Sequence, residues 1–156
     1  MNKAAFIYDP VMSKYVMRED HVLRPSRLQY TFELLDSYGA FQHSRPVKPV
    51  PASKDDILSF HTREYVEAVE SLSQGKPVAN PSLYNLSEWG DNPIFPGMYD
   101  GASLSVGGSL KAAEMVAEGE VDAAFNIAGG MHHAAPNLDS GFCIFNDPAI
   151  AIHSLL

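Results

Sequence analysis

Two adjacent histidines, His132 and His133, follow directly on Gly129-Gly130-Met131. An imidazole takes up or releases a proton near neutral pH, so a pair can divide the base and acid work of a hydrolysis. The two glycines let the backbone turn sharply and come close to a ligand. On residue type alone, His-His reads more readily as a loop dipeptide with one ring capping a backbone group. Its surroundings favour chemistry. The apolar stretch 121–128 reads as a strand, which puts the pair at a strand's carboxyl end, where the ligand sites of open α/β sheets lie. Asp139-Ser140-Gly141-Phe142-Cys143-Ile144-Phe145-Asn146-Asp147 comes next. Its small residues and its aromatic could wall a narrow channel leading to the histidines, with Phe142 in the wall. For a lone aromatic, ordinary core packing is the commoner role. Cys143, in an apolar run, reads as a small buried hydrophobe rather than a nucleophile.

The remaining elements must position that loop. Ala4-Ala5-Phe6-Ile7-Tyr8, closed by Asp9-Pro10, has the profile of a buried first strand and a turn. Ser26, with Gln29 three residues later, reads as an N-cap, and Leu28, Phe32 and Leu35 share a helical face until Gly39. The stretch 43–50, carrying Pro46 and Pro49, suits only an edge strand. Ser53 and Thr62 each cap a helix, the second with Tyr65, Val66, Val69 and Leu72 on one face as far as Gly75. Residues 76–100 read as a long loop, a common place for function. From 99 to 118 the pattern is helical, with Val106, Leu110, Ala113 and Ala117 on one face; Gly107 and Gly108 within it imply a close packing contact. The strand 121–128 is apolar on both faces, as in the interior of a parallel sheet. Strands alternating with helices make this an α/β chain.

The 156 residues, 46% of them apolar, suffice for one modest core. A net charge of -8 opposes attraction to phosphates, so no nucleic acid is expected as a partner. No apolar run approaches the ~20 residues of a membrane helix, and no signal core opens the chain. No membrane partner is expected. With a single cysteine, neither an internal disulfide nor a thiolate metal site is available, and a reducing cytoplasm is the expected location. Asp147-Pro148 opens a helical run, 149–156, that lacks a stop signal, so the domain reads as cut short.

Gly129-Gly130-Met131-His132-His133-Ala134 and Ser140-Gly141-Phe142-Cys143-Ile144-Phe145-Asn146-Asp147 together resemble the zinc-dependent histone deacetylase superfamily. The likeness extends through Pro25-Ser26-Arg27, Phe60-His61-Thr62-Arg63-Glu64-Tyr65-Val66 and Trp89-Gly90-Asp91-Asn92-Pro93-Ile94-Phe95-Pro96-Gly97-Met98-Tyr99. The wording of the last is most like the prokaryotic acetoin-utilisation branch. The resemblance covers nearly all of residues 1–156 and about the first half of a family catalytic domain. It implies the N-terminal portion of an arginase/deacetylase-like three-layer α/β/α fold, with a parallel sheet of about three strands. The implied reaction is hydrolysis of an N-acetyl group from a lysine-like amine, with zinc polarising the carbonyl and activating water. Four roles carry over: His133 as general base; His132 as the partner that stabilises charge and helps protonate the leaving amine; Asp91 as the rim residue holding the substrate backbone; Phe142, with Gly130 and Gly141, as tunnel lining. Arg27 would sit beside an inner acetate pocket, although a surface or capping arginine reads equally well. Met131 stands where many eukaryotic members carry tryptophan.

The family's zinc ligands, the carboxylates that orient the histidines and the oxyanion-stabilising tyrosine belong to later segments. No metal is therefore expected at the family site here, and the chain alone is expected to be inactive. A substitute site from His61, His132 and His133 has no support in their spacing. The alternative is a natural non-catalytic module that works by self-association or partner binding. The implied strand order, 2-1-3, would leave 121–128 as an exposed apolar edge, and such an edge implies a homodimer or larger assembly.

Overall fold

The computed structural model describes residues 4–156. A short apolar strand, β1 (Ala4–Ile7), lies between β2 (Ser44–Val47) and β3 (Ala123–Asn126) in a parallel sheet of order β2-β1-β3. Phe6 faces Pro46 on one side and Phe125 on the other. Alternation along β1 feeds two cores. Phe6, with Tyr8 just beyond the strand, packs with Leu28 and Phe32 of helix α1 (Ser26–Ser37). Ala5 and Ile7 point the opposite way, to Met115 of α4 (Met98–Ala117) and to Val121. Helices thus cover both faces of the sheet, the three-layer arrangement expected from sequence. A third and larger core joins Val66 and Val69 of α3 (Arg63–Ser73), Val106 of α4 and Ile150 of α5 (Asp147–Ser154), with Phe145 among them.

Local signals act as read in most places. Ser53 caps α2 (Lys54–Leu58) in a full capping box with Asp56, and Thr62 caps α3 through the Tyr65 N–H. β2 carries its proline on a sheet edge, where no second partner needs the missing N–H. The close contact inferred at Gly107 is with the chain entering α2: a methyl group there would lie 1.8 Å from the Val50 carbonyl oxygen.

Three expectations change. Ser26 is not the cap of α1, because Pro25 is already in the helical region and acts as the cap position without a side-chain bond, so Ser26 is drawn into the first turn. The face proposed for α4 does not hold: all six residues 103–108 are buried, whereas Ala117 is exposed and Met115 is the fully buried residue of the last turn. The helix is covered all round where it passes between cores and on one side only beyond them. β3 is shorter than the stretch 121–128 and is not an interior strand. It has one neighbour, and Phe125 is 58% exposed, so its apolar residues form the edge that the 2-1-3 order implied. No helix among the described residues is long and apolar enough to cross a membrane.

Candidate active site

The histidine loop leaves the end of β3 under tight polar control. Asn126, the last residue of the strand, donates through Nδ2 to the Ser105 carbonyl and to Ser109 Oγ of α4, and accepts from the Ala128 N–H. The carboxylate of Asp147, 1% exposed at the start of α5, accepts from the Gly130 N–H (3.0 Å), the Met131 N–H (2.7 Å) and the Ser109 hydroxyl. Burial raises the Asp147 pKa, against the bonds from Ser109, Met131 and Gly130 that favour its charge. Gly129 is needed at this junction because a Cβ would come within 2.7 Å of the Asp147 carboxylate. Asn146 holds the far side, donating to the carbonyls of His132 and Ala134.

His61 closes the clasp. It is 3% exposed; its Nδ1–H donates to the Pro136 carbonyl and its Nε2 accepts the Asn146 N–H at 2.9 Å. Both nitrogens are used by a neutral ring, and burial lowers its pKa to about 4. His61 is thereby a structural tie rather than a ligand, which removes the idea of a substitute metal site built on it.

On this frame His132 and His133 are both exposed, their ring centroids 4.2 Å apart. The Gly130 carbonyl can only accept, so its 2.9 Å contact puts a proton on His132 Nδ1 and leaves Nε2 as the acceptor nitrogen of a neutral ring. Gly141 lies beneath the other ring; a Cβ there would be 2.9 Å from His133 Cδ2.

Phe142 adopts a left-handed backbone at φ +69°, with its N–H donated to Asn92 Oδ1 at 2.5 Å. Its ring meets the edge of His21, whose Nε2–H donates to the Asp91 carbonyl and whose Nδ1 accepts the Leu23 N–H. The exposed Asp91 side chain is therefore carried on a backbone tied to the Phe142 wall. Behind the wall is an apolar cavity of about 100 Å³, lined by Phe142, Met131, Arg27, Tyr15, Met12 and Phe145 among others. Arg27 borders it while remaining largely exposed, and desolvation lowers its pKa. Gly130 and Gly141 do not line this cavity. Cys143 is buried, and burial raises its pKa, as suits a packed thiol. No three His, Cys, Asp or Glu side chains come together to hold a metal ion among the described residues. The residues described do not by themselves fit a zinc site.

Sequence reasoning passed over His21, Asn92, Asp139 and the clamping role of Asp147. Asn146-Asp147-Pro148 was visible as a helix start, but not its bonds back to the loop.

A parallel sheet with helices on both faces and a histidine pair beyond a strand's carboxyl end puts the candidate site where open α/β sheets bind their ligands. Residues 21–156 match the profile described as histone deacetylase domain, and the chain belongs to that family. It is 39% identical over 153 residues to acetoin utilization protein AcuC of Bacillus subtilis (strain 168), covering 97% of this chain and 39% of that protein. It is 36% identical to histone deacetylase 19 of Arabidopsis thaliana, covering 99% of this chain and 31% of the relative. The crystal structure of an HDAC homolog from Aquifex aeolicus superposes with a TM-score of 0.86 at 31% identity, over 99% of this chain and 41% of the other. The chain thus spans about a third to two fifths of the length of these relatives.

Proposed function

We propose that this chain supplies the acid-base pair and one tunnel wall of a deacetylase that hydrolyses N-acetyl-lysine-like amides. The observation that carries the reading is the paired-histidine loop at the end of β3, clamped by Asp147 beside Phe142, within a chain of the histone deacetylase family. In this reading the acyl-lysine chain passes Phe142, with Gly130 and Gly141 at its sides, and Asp91 holds the substrate backbone at the rim. His133 takes the proton of the attacking water. As the C–N bond breaks, His132 stabilises the developing charge and helps deliver a proton to the leaving amine. The acetate product leaves toward the cavity bordered by Arg27. No metal-binding set assembles among the described residues, and the polypeptide alone is proposed to be inactive. The test is turnover of an acetyl-lysine peptide, with zinc content measured alongside, on residues 1–156 and on the natural product of the gene. The proposal expects deacetylation from the gene product alone. Stoichiometric zinc and turnover in residues 1–156 would contradict the second part; an inactive gene product would contradict the first.

The exposed apolar edge of β3, with Phe125 outward, favours a second reading in which residues 1–156 self-associate through 121–128. Sedimentation is expected to give a dimer or larger species, and Phe125→Lys to shift it to monomer. A monomeric unaltered chain would end this reading.

A further inference from the structure

We propose that Asp139 is a positioning residue for the tunnel wall: its buried carboxyl group orients the Asn92 amide, which in turn fixes the backbone of Phe142. As a statement about substrate passage this rests on the deacetylase reading; as a statement about Phe142 it does not.

Phe142 is a bulky residue in a left-handed conformation, which persists only where its surroundings enforce it. What enforces it is the bond from its N–H to Asn92 Oδ1. An amide has an acceptor end and a donor end, and turning it over would present Nδ2 to the Phe142 N–H, donor against donor. Asn92 is 4% exposed, so water does not decide the matter. Its Nδ2 is buried with no hydrogen bond of normal geometry, and the two oxygens of the fully buried Asp139 are in the same position. These groups complement each other. The side-chain amides of Asn92 and Asn85 lie near enough to favour the charged form of Asp139, while burial pushes its pKa up to about 7. The neighbouring titratable groups are Tyr65 and Cys143, both held protonated chiefly by burial and further by the charge of Asp139. The acid is set in place by its own backbone, its N–H donating to the Tyr84 carbonyl and its carbonyl accepting from Asn85 Nδ2. The chain of cause therefore runs from the turn at 84–85 through Asp139 and Asn92 to Phe142. A carboxyl group accepts a bond whether or not it is protonated, so it can hold the amide in either state.

The test is amide NMR of residues 1–156. Asp139→Leu keeps the volume and removes the acceptor; Asp139→Asn keeps a carbonyl acceptor. Hydrogen-exchange protection of the Phe142 amide is expected to fall at least about tenfold in Asp139→Leu and to stay near the original in Asp139→Asn. Equal protection in the Leu variant overturns the proposal. Should that variant not fold, the unaltered chain decides: the Asn92 Nδ2 and Phe142 amide resonances are expected to shift together with a midpoint near pH 7, and no shared shift overturns it. In the gene product, Asp139→Leu is expected to raise KM for an acetyl-lysine peptide about tenfold more than it lowers kcat. A gene product without activity would refute the deacetylase reading, while the NMR measurements would still decide the role of Asp139.

Discussion

The histidine loop and the tunnel wall are both held by buried polar groups, but their bonds are completed to different degrees. Around His132 and His133, the Asp147 carboxylate, the Asn146 amide and both nitrogens of His61 meet well-formed partners. Around Phe142, the Asn92 Nδ2 and the Asp139 carboxylate lack bonds of normal geometry. A buried polar group without a good bond loses about 1–3 kcal/mol. The fully bonded region is built to keep two exposed rings in one place. The wall is held by fewer and weaker ties, so it is the part whose position a change in sequence can alter.

The largest effect should come from breaking the completed region. Asp147→Ala leaves the Gly130 and Met131 N–H groups without their acceptor and is expected to cost about 3 kcal/mol, read as a lower midpoint in urea. His61→Phe keeps much of the ring volume but strands the Asn146 N–H and the Pro136 carbonyl, for a loss of about 2–3 kcal/mol. The same histidine gives a pH signature. Its folded pKa, about 4, lies below its ordinary 6.5, so the unfolded chain binds more protons between these values and stability falls as pH drops through that window. His61→Phe should flatten the acid limb of a stability profile, measured by denaturant unfolding from pH 4 to 7.

Asp139 has the opposite sign. Its folded pKa, about 7, lies above 3.8, so the folded chain binds more protons in between and stability is lost as pH rises toward 7. Asp139→Asn should therefore raise the melting temperature at pH 8 by roughly 5 °C, with a smaller gain at pH 5, by scanning calorimetry. Gly141 joins the two regions and should give the smallest loss. Gly141→Ala places a Cβ against the His133 ring at a φ of +51° and is expected to cost about 1 kcal/mol while shifting the His133 ring resonances.

Signals that act over a few residues were legible in the sequence. The run into Asp9-Pro10 and the capping residues Ser53 and Thr62 do locally what their types require. The His132-His133 pair was legible too, because the double glycine and the preceding strand adjoin it. The exceptions within that range are Ser26, overtaken by a proline that is itself helical, and the burial pattern of α4, set by neighbours on every side. The clamps were not legible. His61 reaches Asn146 across 85 residues and Asn92 reaches Phe142 across 50, separations at which spacing carries no record of contact. Asp139 stands in the sequence only as the first residue of the stretch that runs to Asp147, and its complete burial is what sets it apart.

The central claim, that the clamped pair does acid-base work on an acetyl-lysine amide, is tested most directly by the kinetics of His133→Ala in the natural gene product. A fall in kcat of about 10²–10⁴-fold with KM for an acetyl-lysine peptide little changed is the predicted result. Turnover within a few-fold of the unaltered protein would contradict the account.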